Sequence, residues 1–215
     1  MAIAEKSALG KVKKSYAGAV LYEVYGKTRM RSKAGSFKDA KTPVQKSQRS
    51  RFVMLTRLSC SLKLLIRRTF VNDAADMSQH HKFMKLNYAR GVVSGEFPNY
   101  SIDYSKMLIS KGKLLGVEEG IVCSEPGNKV IIKWKDNSGV KHSKSTHKVM
   151  VLLINETRKF SRVYFDVGTR SDTKLEITTP LEWENNVFHV YFLFKAANKE
   201  VFSDSVYLGH VTLVP

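Results

Sequence analysis

Between Gln45 and Phe70 apolar residues recur every three or four positions. Met54, Leu55, Leu58, Leu62, Leu65 and Ile66 fall on one face of a helix. Arg49, Arg57, Lys63, Arg67 and Arg68 fall on the opposite face, and Arg51 projects toward the apolar side. The pattern predicts an amphipathic helix with a basic stripe. A second helix is predicted over 73–90, with Met77, His80 or His81, Met84 and Tyr88 as its inward stripe. Asn72 or Asp73 is suited to cap it and Gly91 to end it. Its acids lie early and its bases late, which suits the helix dipole.

The flanking patterns differ. Residues 1–18 read as a basic arm or loop. Over 19–25 the period is two, and Val20, Tyr22 and Val24 share one face. Gly26 is suited to a bend or bulge. Lys27, Arg29, Arg31 and Lys33 then alternate as a one-sided cationic extension, with same-face neighbours roughly 6.6 Å apart. Residues 34–44 read as a linker. After Pro98 the chain turns β-rich, with strands predicted near 101–109, 129–135, 147–154, 161–166, 174–179, 187–195 and 204–213. "EPGN" and "DNSG" are turn-prone. Short strands at such spacing point to an antiparallel sandwich of the fibronectin/Ig-like kind. Trp134 and the aromatic-rich run 188–194 are its candidate core, and the last strand is a candidate sheet edge. The fold class expected is α+β, mainly β. A basic N-terminal region at 1–97 (arm, strand, two helices) precedes a β-sandwich at 98–215.

Charge changes the picture most. The chain has 215 residues and a net charge of +17. Residues 1–70 hold 17 Lys and Arg against three acids, hence 14 of the 17 net positive charges, and 151–215 is near neutral. Such asymmetry directs the N-terminal end toward a polyanion or an acidic protein surface. No apolar run approaches the roughly 18 residues of a membrane span. The start, "MAIAEKSALG", has no apolar core and carries Glu5, so no secretory signal is expected. The expected location is cytoplasm or virion.

Catalytic chemistry is hard to find in the sequence. Cys60 and Cys123 are too far apart to suggest a framework or cluster. His80 and His81 lack a histidine at helical ligand spacing, and Asp76 four residues before His80 is weak support for a metal. His189 lies in an alternating strand and reads as a cross-strand residue. Glu118 and Glu119 fall in a predicted loop, and Glu182 and Glu184 flank Trp183 without a paired-carboxylate arrangement. Ser59-Cys60-Ser61 sits inside a predicted helix, away from any nucleophile elbow. No enzyme activity, cofactor or metal is expected. The candidate polyanion contacts are Lys11, Lys13, Lys14, Lys27, Arg29, Arg31, Lys33, Arg49, Arg57, Lys63, Arg67 and Arg68, with Tyr16, Tyr22 and Tyr25 as stacking candidates. No helix-turn-helix, zinc-finger or RNP-like motif occurs, so sequence-specific reading of DNA or RNA is not expected.

"GEFPNYSIDYSKMLISKGKLLG" at 95–116 closely resembles a segment of a domain family of unknown function found in Bacteroidota genomes and associated phages. "TPVQKSQRSRF" (42–52), "KWKDNSG", "STHKVMVLLIN" and "SVYLG" resemble it too, so the likeness spans nearly the whole chain. Tyr22, Gly26, Lys27, Arg31 and Ser32 match that family's N-terminal segment. Lys13 and Lys14 stand where Ser and Gly are usual, and Leu21 stands where a glycine is usual. The resemblance implies an extended and helical N-terminal region plus a β-sandwich, and no reaction. In layout it is similar to fibronectin-like accessory proteins of phage particles. The expected function is a non-enzymatic structural or assembly protein, a phage virion (capsid or accessory) component with other protein subunits as partners. Two alternatives stand beside it. One is a sequence-nonspecific DNA- or RNA-binding protein. The other is a carbohydrate-binding sandwich using Tyr100, Tyr104 and Trp183.

Overall fold

The computed structural model describes residues 2–4, 15–16, 18–24, 26–36, 38–71 and 77–214. The chain divides into two units, residues 1–45 and 46–215.

The first unit is a sheet of β1 (Ala2–Ala4), β2 (Ser15–Tyr16), β3 (Ala19–Val24) and β4 (Lys27–Ser32), in the order β1-β4-β3-β2. The cationic run is therefore the antiparallel partner of the period-two segment rather than its extension. Gly26 has φ +72, a conformation open to glycine, and lets the chain reverse between Val24 and Lys27. Two parts of the expected arm are strands: β1 pairs with β4, and β2 pairs with β3. The rest of 1–18 up to residue 14 lies outside the described residues except for β1. Over 18–45, no residue whose burial is described is buried.

The predicted helix over 45–70 is two helices, α1 (Pro43–Ser61) and α2 (Lys63–Thr69), interrupted at Leu62. Proline at the first helical position has no amide to leave unpaired. Thr42 and Gln45 exchange reciprocal side-chain to backbone hydrogen bonds at 3.2 and 3.3 Å, a capping box. The interruption follows two serines whose hydroxyls donate to carbonyls three residues back, Ser59 to Thr56 O and Ser61 to Leu58 O, both at 2.7 Å. Such side chains compete with the helical ladder. The apolar stripe survives the break, for Leu55, Leu58, Leu62, Leu65 and Ile66 are all buried.

The next helix, α3 (Gln79–Ala89), starts later than predicted. Ser78 is its cap, accepting from the His81 amide at 3.2 Å; Asn72 and Asp73 lie outside the described residues. Its inward residues are Phe83, Met84 and Asn87, so the stripe is turned from the predicted one and Tyr88 is exposed. Gly91, at φ +67, ends it as expected.

Seven further strands build the sandwich. One sheet has the order β11 (Lys174–Thr178), β8 (Lys129–Lys135), β7 (Glu118–Glu125). The other has the order β10 (Phe160–Tyr164), β9 (Lys148–Asn155), β12 (Val187–Lys195), β13 (Val206–Thr212). All pairings are antiparallel, and the three-on-four arrangement is that of the expected sandwich. β7 was not predicted: Ile121 and Cys123 point outward, which blurs its alternation. β13 is a sheet edge, as expected. Leu208 is its extra residue, and Gly209 beside it has φ +117, which makes a bulge opposite Val190 and Tyr191.

β9 and β12 belong to a middle layer. Val149, Val151, Leu153, Phe188, Val190, Phe192 and Phe194 face β8 and β11, with the Trp134 ring 5.0 Å from that of Phe192. The intervening residues Met150, Leu152, Ile154, Tyr191 and Leu193 pack with Leu55, Leu62, Phe70 and Phe83 of the helices and the turn that follows α2. A strand buried on both faces carries no polar alternation, which is why "VMVLLI" and "VFHVYFLFK" read as continuous apolar runs.

Between helices and sandwich runs a hairpin, β5 (Val93–Glu96) and β6 (Asn99–Ile102), followed by a buried strap through residue 110. The strand expected at 101–109 is this shorter β6 plus a single-turn helix at 104–106. Buried Asn87 holds the strap as a strand neighbour would. Its Nδ2 donates to Leu108 O at 2.9 Å and its Oδ1 accepts from the Leu108 amide at 2.7 Å. Thr69 donates to Ile109 O at 2.7 Å. A Cβ on Gly112 would collide with the Phe202 carbonyl, so only glycine fits that approach. The 95–116 segment is thus the seam of the second unit. The boundary suggested at 97/98 falls in the turn of the β5–β6 hairpin.

Candidate polyanion-binding surface

Residues directly opposite in an antiparallel pair project to the same face. In the first unit the register pairs Val24 with Lys27, Tyr22 with Arg29 and Val20 with Arg31. Three cations therefore share a face with one tyrosine and two valines. The acid of β3, Glu23, pairs with Thr28 and belongs to the other face. Lys27 and Arg31 are exposed and Arg29 is half-buried. Lys33 follows the end of β4, and its amide continues the ladder by donating to Gly18 O at 2.7 Å. Lys11, Lys13, Lys14 and Tyr25 lie outside the described residues, and Tyr16 is described as part of β2 alone.

The helical stripe in the second unit is less uniform than the sequence implied. Arg49, Arg57, Lys63 and Arg67 are exposed. Arg68 is engaged: it pairs with Glu200 at 3.0 Å and its guanidinium lies 4.7 Å from the centre of the Phe165 ring. It ties α2 to the sandwich, where Lys195 meets the same Glu200 at 3.1 Å. Arg51, the residue that broke the sequence pattern, rests 5.0 Å from the centre of the Tyr100 ring. A guanidinium over a ring face is favourable, so a cation on the apolar side has a partner there.

Two polar clusters were missed by sequence reasoning. In the first, His189 stands across from His210 and Ile154, as expected of a cross-strand residue. Its Nδ1 lies 2.8 Å from Tyr207 Oη, its Nε2 lies 3.1 Å from Glu156, and its ring stacks on Tyr104 at 3.9 Å. A neutral imidazole satisfies both bonds, with Tyr207 donating to Nδ1 and Nε2–H donating to Glu156. Burial holds its pKa below the usual histidine value, against the opposing pull of Glu156. Both ring nitrogens are spent on these bonds.

The second cluster surrounds Arg170, which is 0% exposed. It donates to Asn137 Oδ1 and, at 2.8 Å, to Leu115 O, and lies 3.7 Å from the Phe194 ring centre. The Trp134 indole donates to the Arg170 carbonyl at 2.8 Å. Burial holds the Arg170 pKa down; it also lowers that of nearby His147, whose depression Arg170 deepens. Nothing in the sequence distinguished Arg170 from the surface cations.

The remaining candidates are spread out. His80 Nε2 lies 2.8 Å from Ser59 Oγ, and since that hydroxyl donates to Thr56 O, the imidazole donates to it. Among the described residues no three of His, Cys, Asp and Glu come together as a metal site. Cys60 and Cys123 are free and exposed. Of the aromatics considered for carbohydrate, Tyr104 is buried, Tyr100 lies under Arg51, and Trp183 packs on Phe160 and Phe188 at 4.9 and 5.3 Å. No helix is long and apolar enough to cross a membrane among the described residues.

Comparison with known proteins adds a family and a distant structural likeness. No curated protein matches the chain. The fn3 domain of the human collagen alpha-1(XX) chain is similar over 49% of this chain and 90% of that one, at 12% identity and a TM-score of 0.37. The sandwich itself stands on the sheet orders given above. A family described as a family of unknown function (DUF6266) matches residues 10–209. The chain belongs to that family.

Proposed function

We propose that the protein is a non-enzymatic assembly protein whose basic N-terminal sheet docks on a polyanion, nucleic acid first among them. The observation that carries this reading is the register of β3 on β4. It gathers Lys27, Arg29 and Arg31 on one face with Tyr22 and sends Glu23 to the other. A sheet face of that kind follows a phosphate backbone by charge and offers an aromatic for stacking. Arg57, Lys63 and Arg67 supply a second exposed row on the second unit. The sandwich serves as the rigid body that neighbouring subunits contact, and a virion component is the most concrete setting. β13 ends its sheet, and strand addition there is one way a neighbouring subunit would attach.

Random-sequence duplex and single-stranded DNA test the reading by sedimentation at low and high salt. Binding that falls steeply with salt is expected; no binding at low salt overturns it. Particle mass separates the settings. A large ordered particle favours assembly, whereas a monomer that binds nucleic acid favours a freestanding nonspecific binder.

A further inference from the structure

We propose that a groove on the second unit binds a small amphipathic anion, an acyl or aryl carboxylate. The groove lies between α1, the β5–β6 hairpin and the turn joining β9 to β10, and encloses about 520 Å³. That is the size of cavity that takes up small ligands. Its apolar wall includes Val53, Met54, Leu58, Ile102 and Phe160. The charged residues lining it are Arg57 and Lys159, and no acid lines it. An apolar cavity with charge of one sign selects a ligand that is apolar at one end and anionic at the other. A cationic amphiphile is repelled, and a neutral one leaves the two cations partly desolvated and unpaired.

Two further observations support the assignment. Asn155 lines the groove and is 0% exposed. Its Oδ1 accepts from the Arg158 amide at 2.6 Å, while its buried Nδ2 has no partner beside the groove. Lys159 has φ +56, where glycine fits without cost. A lysine is held there at a conformational penalty, and it brings a cation to the groove.

Titration calorimetry with decanoate, decanol and decylammonium, each below its critical micelle concentration, tests the proposal. One decanoate per chain is expected, with decylammonium weaker by about tenfold or more. Val53→Trp fills the groove and abolishes binding. Arg57→Gln weakens decanoate about tenfold, the scale of one lost charge-assisted contact. Lys159→Gly also weakens it; this variant relieves the backbone, so the loss cannot be laid to unfolding. Lys133→Gln, on the exposed face of β8, leaves binding unchanged. Equal affinity for decanoate and decylammonium, decanoate binding that survives Val53→Trp in a protein with an intact melting transition, or no binding of decanoate at all overturns the proposal.

Discussion

The N-terminal sheet and the helix–sandwich body solve opposite problems. The body buries both faces of its middle sheet, and several of its cations have acids beside them: Lys129 with Glu176 at 2.7 Å, Lys135 with Glu119 at 2.8 Å, Arg68 and Lys195 with Glu200. The N-terminal sheet has no buried residue over 18–45 where burial is described, and turns three cations to the face that lacks its acid. Small sheets without a packed face are marginal in water. Stability and charge are thus assigned to different parts of the chain, so substitutions in one should leave the other's property intact.

The sharpest separation is expected from the core. Phe192→Ala, in the layer between the sheets, costs about 3–5 kcal/mol, read as a lower urea midpoint. Val20→Ala in the N-terminal sheet costs under about 1 kcal/mol by the same measurement. Equal losses would erase the distinction between the two regions.

Arg170→Met comes next. It removes a wholly buried guanidinium and strands Asn137 Oδ1 and the Leu115 carbonyl, while Asn137 Nδ2 keeps its bond to Gly116 O. The expected loss is about 2–4 kcal/mol, with polyanion binding unchanged in the folded protein. Binding lost in step with stability would place Arg170 on the functional side.

A smaller effect follows pH. Burial depresses the pKa of His80, His147 and His189. The unfolded chain then binds more protons than the native one below the unfolded histidine value, about 6.5. Stability is complete above that pH and is lost as pH falls toward the depressed native values. The melting temperature should fall between pH 7 and pH 5. For His189 the facing groups are Glu156, Tyr207, Tyr104, His210 and Lys159, and His189→Gln should flatten part of the slope. A melting temperature that rises on acidification contradicts the sign.

Much of the body was legible in the sequence. β8 and β12 match their predicted ranges, because short segments rich in β-branched and aromatic residues between turn signals have few other uses. The runs of β9 and β12 held a further message: strands without alternation have both faces covered, and the helices supply the second cover. β7 was hidden because Ile121 and Cys123 project outward. The hairpin of β3 and β4 was hidden because periodicity cannot tell one long strand from two that share a face, and the register alone places Arg29 beside Tyr22. Arg68 and Arg170 look like any other cation in sequence. Their partners, Glu200 and Asn137, arrive from distant strands and loops.

The most direct test of the central claim replaces Lys27, Arg29 and Arg31 together with glutamine. The dependence of log affinity on log salt is then measured for random-sequence duplex DNA. Each phosphate contact contributes a slope of about 0.9, so the slope should fall by about 2–3 and binding weaken at low salt, with an unchanged urea midpoint for the body. An unchanged slope and affinity in the folded triple variant would contradict the assignment of the N-terminal sheet as the docking surface.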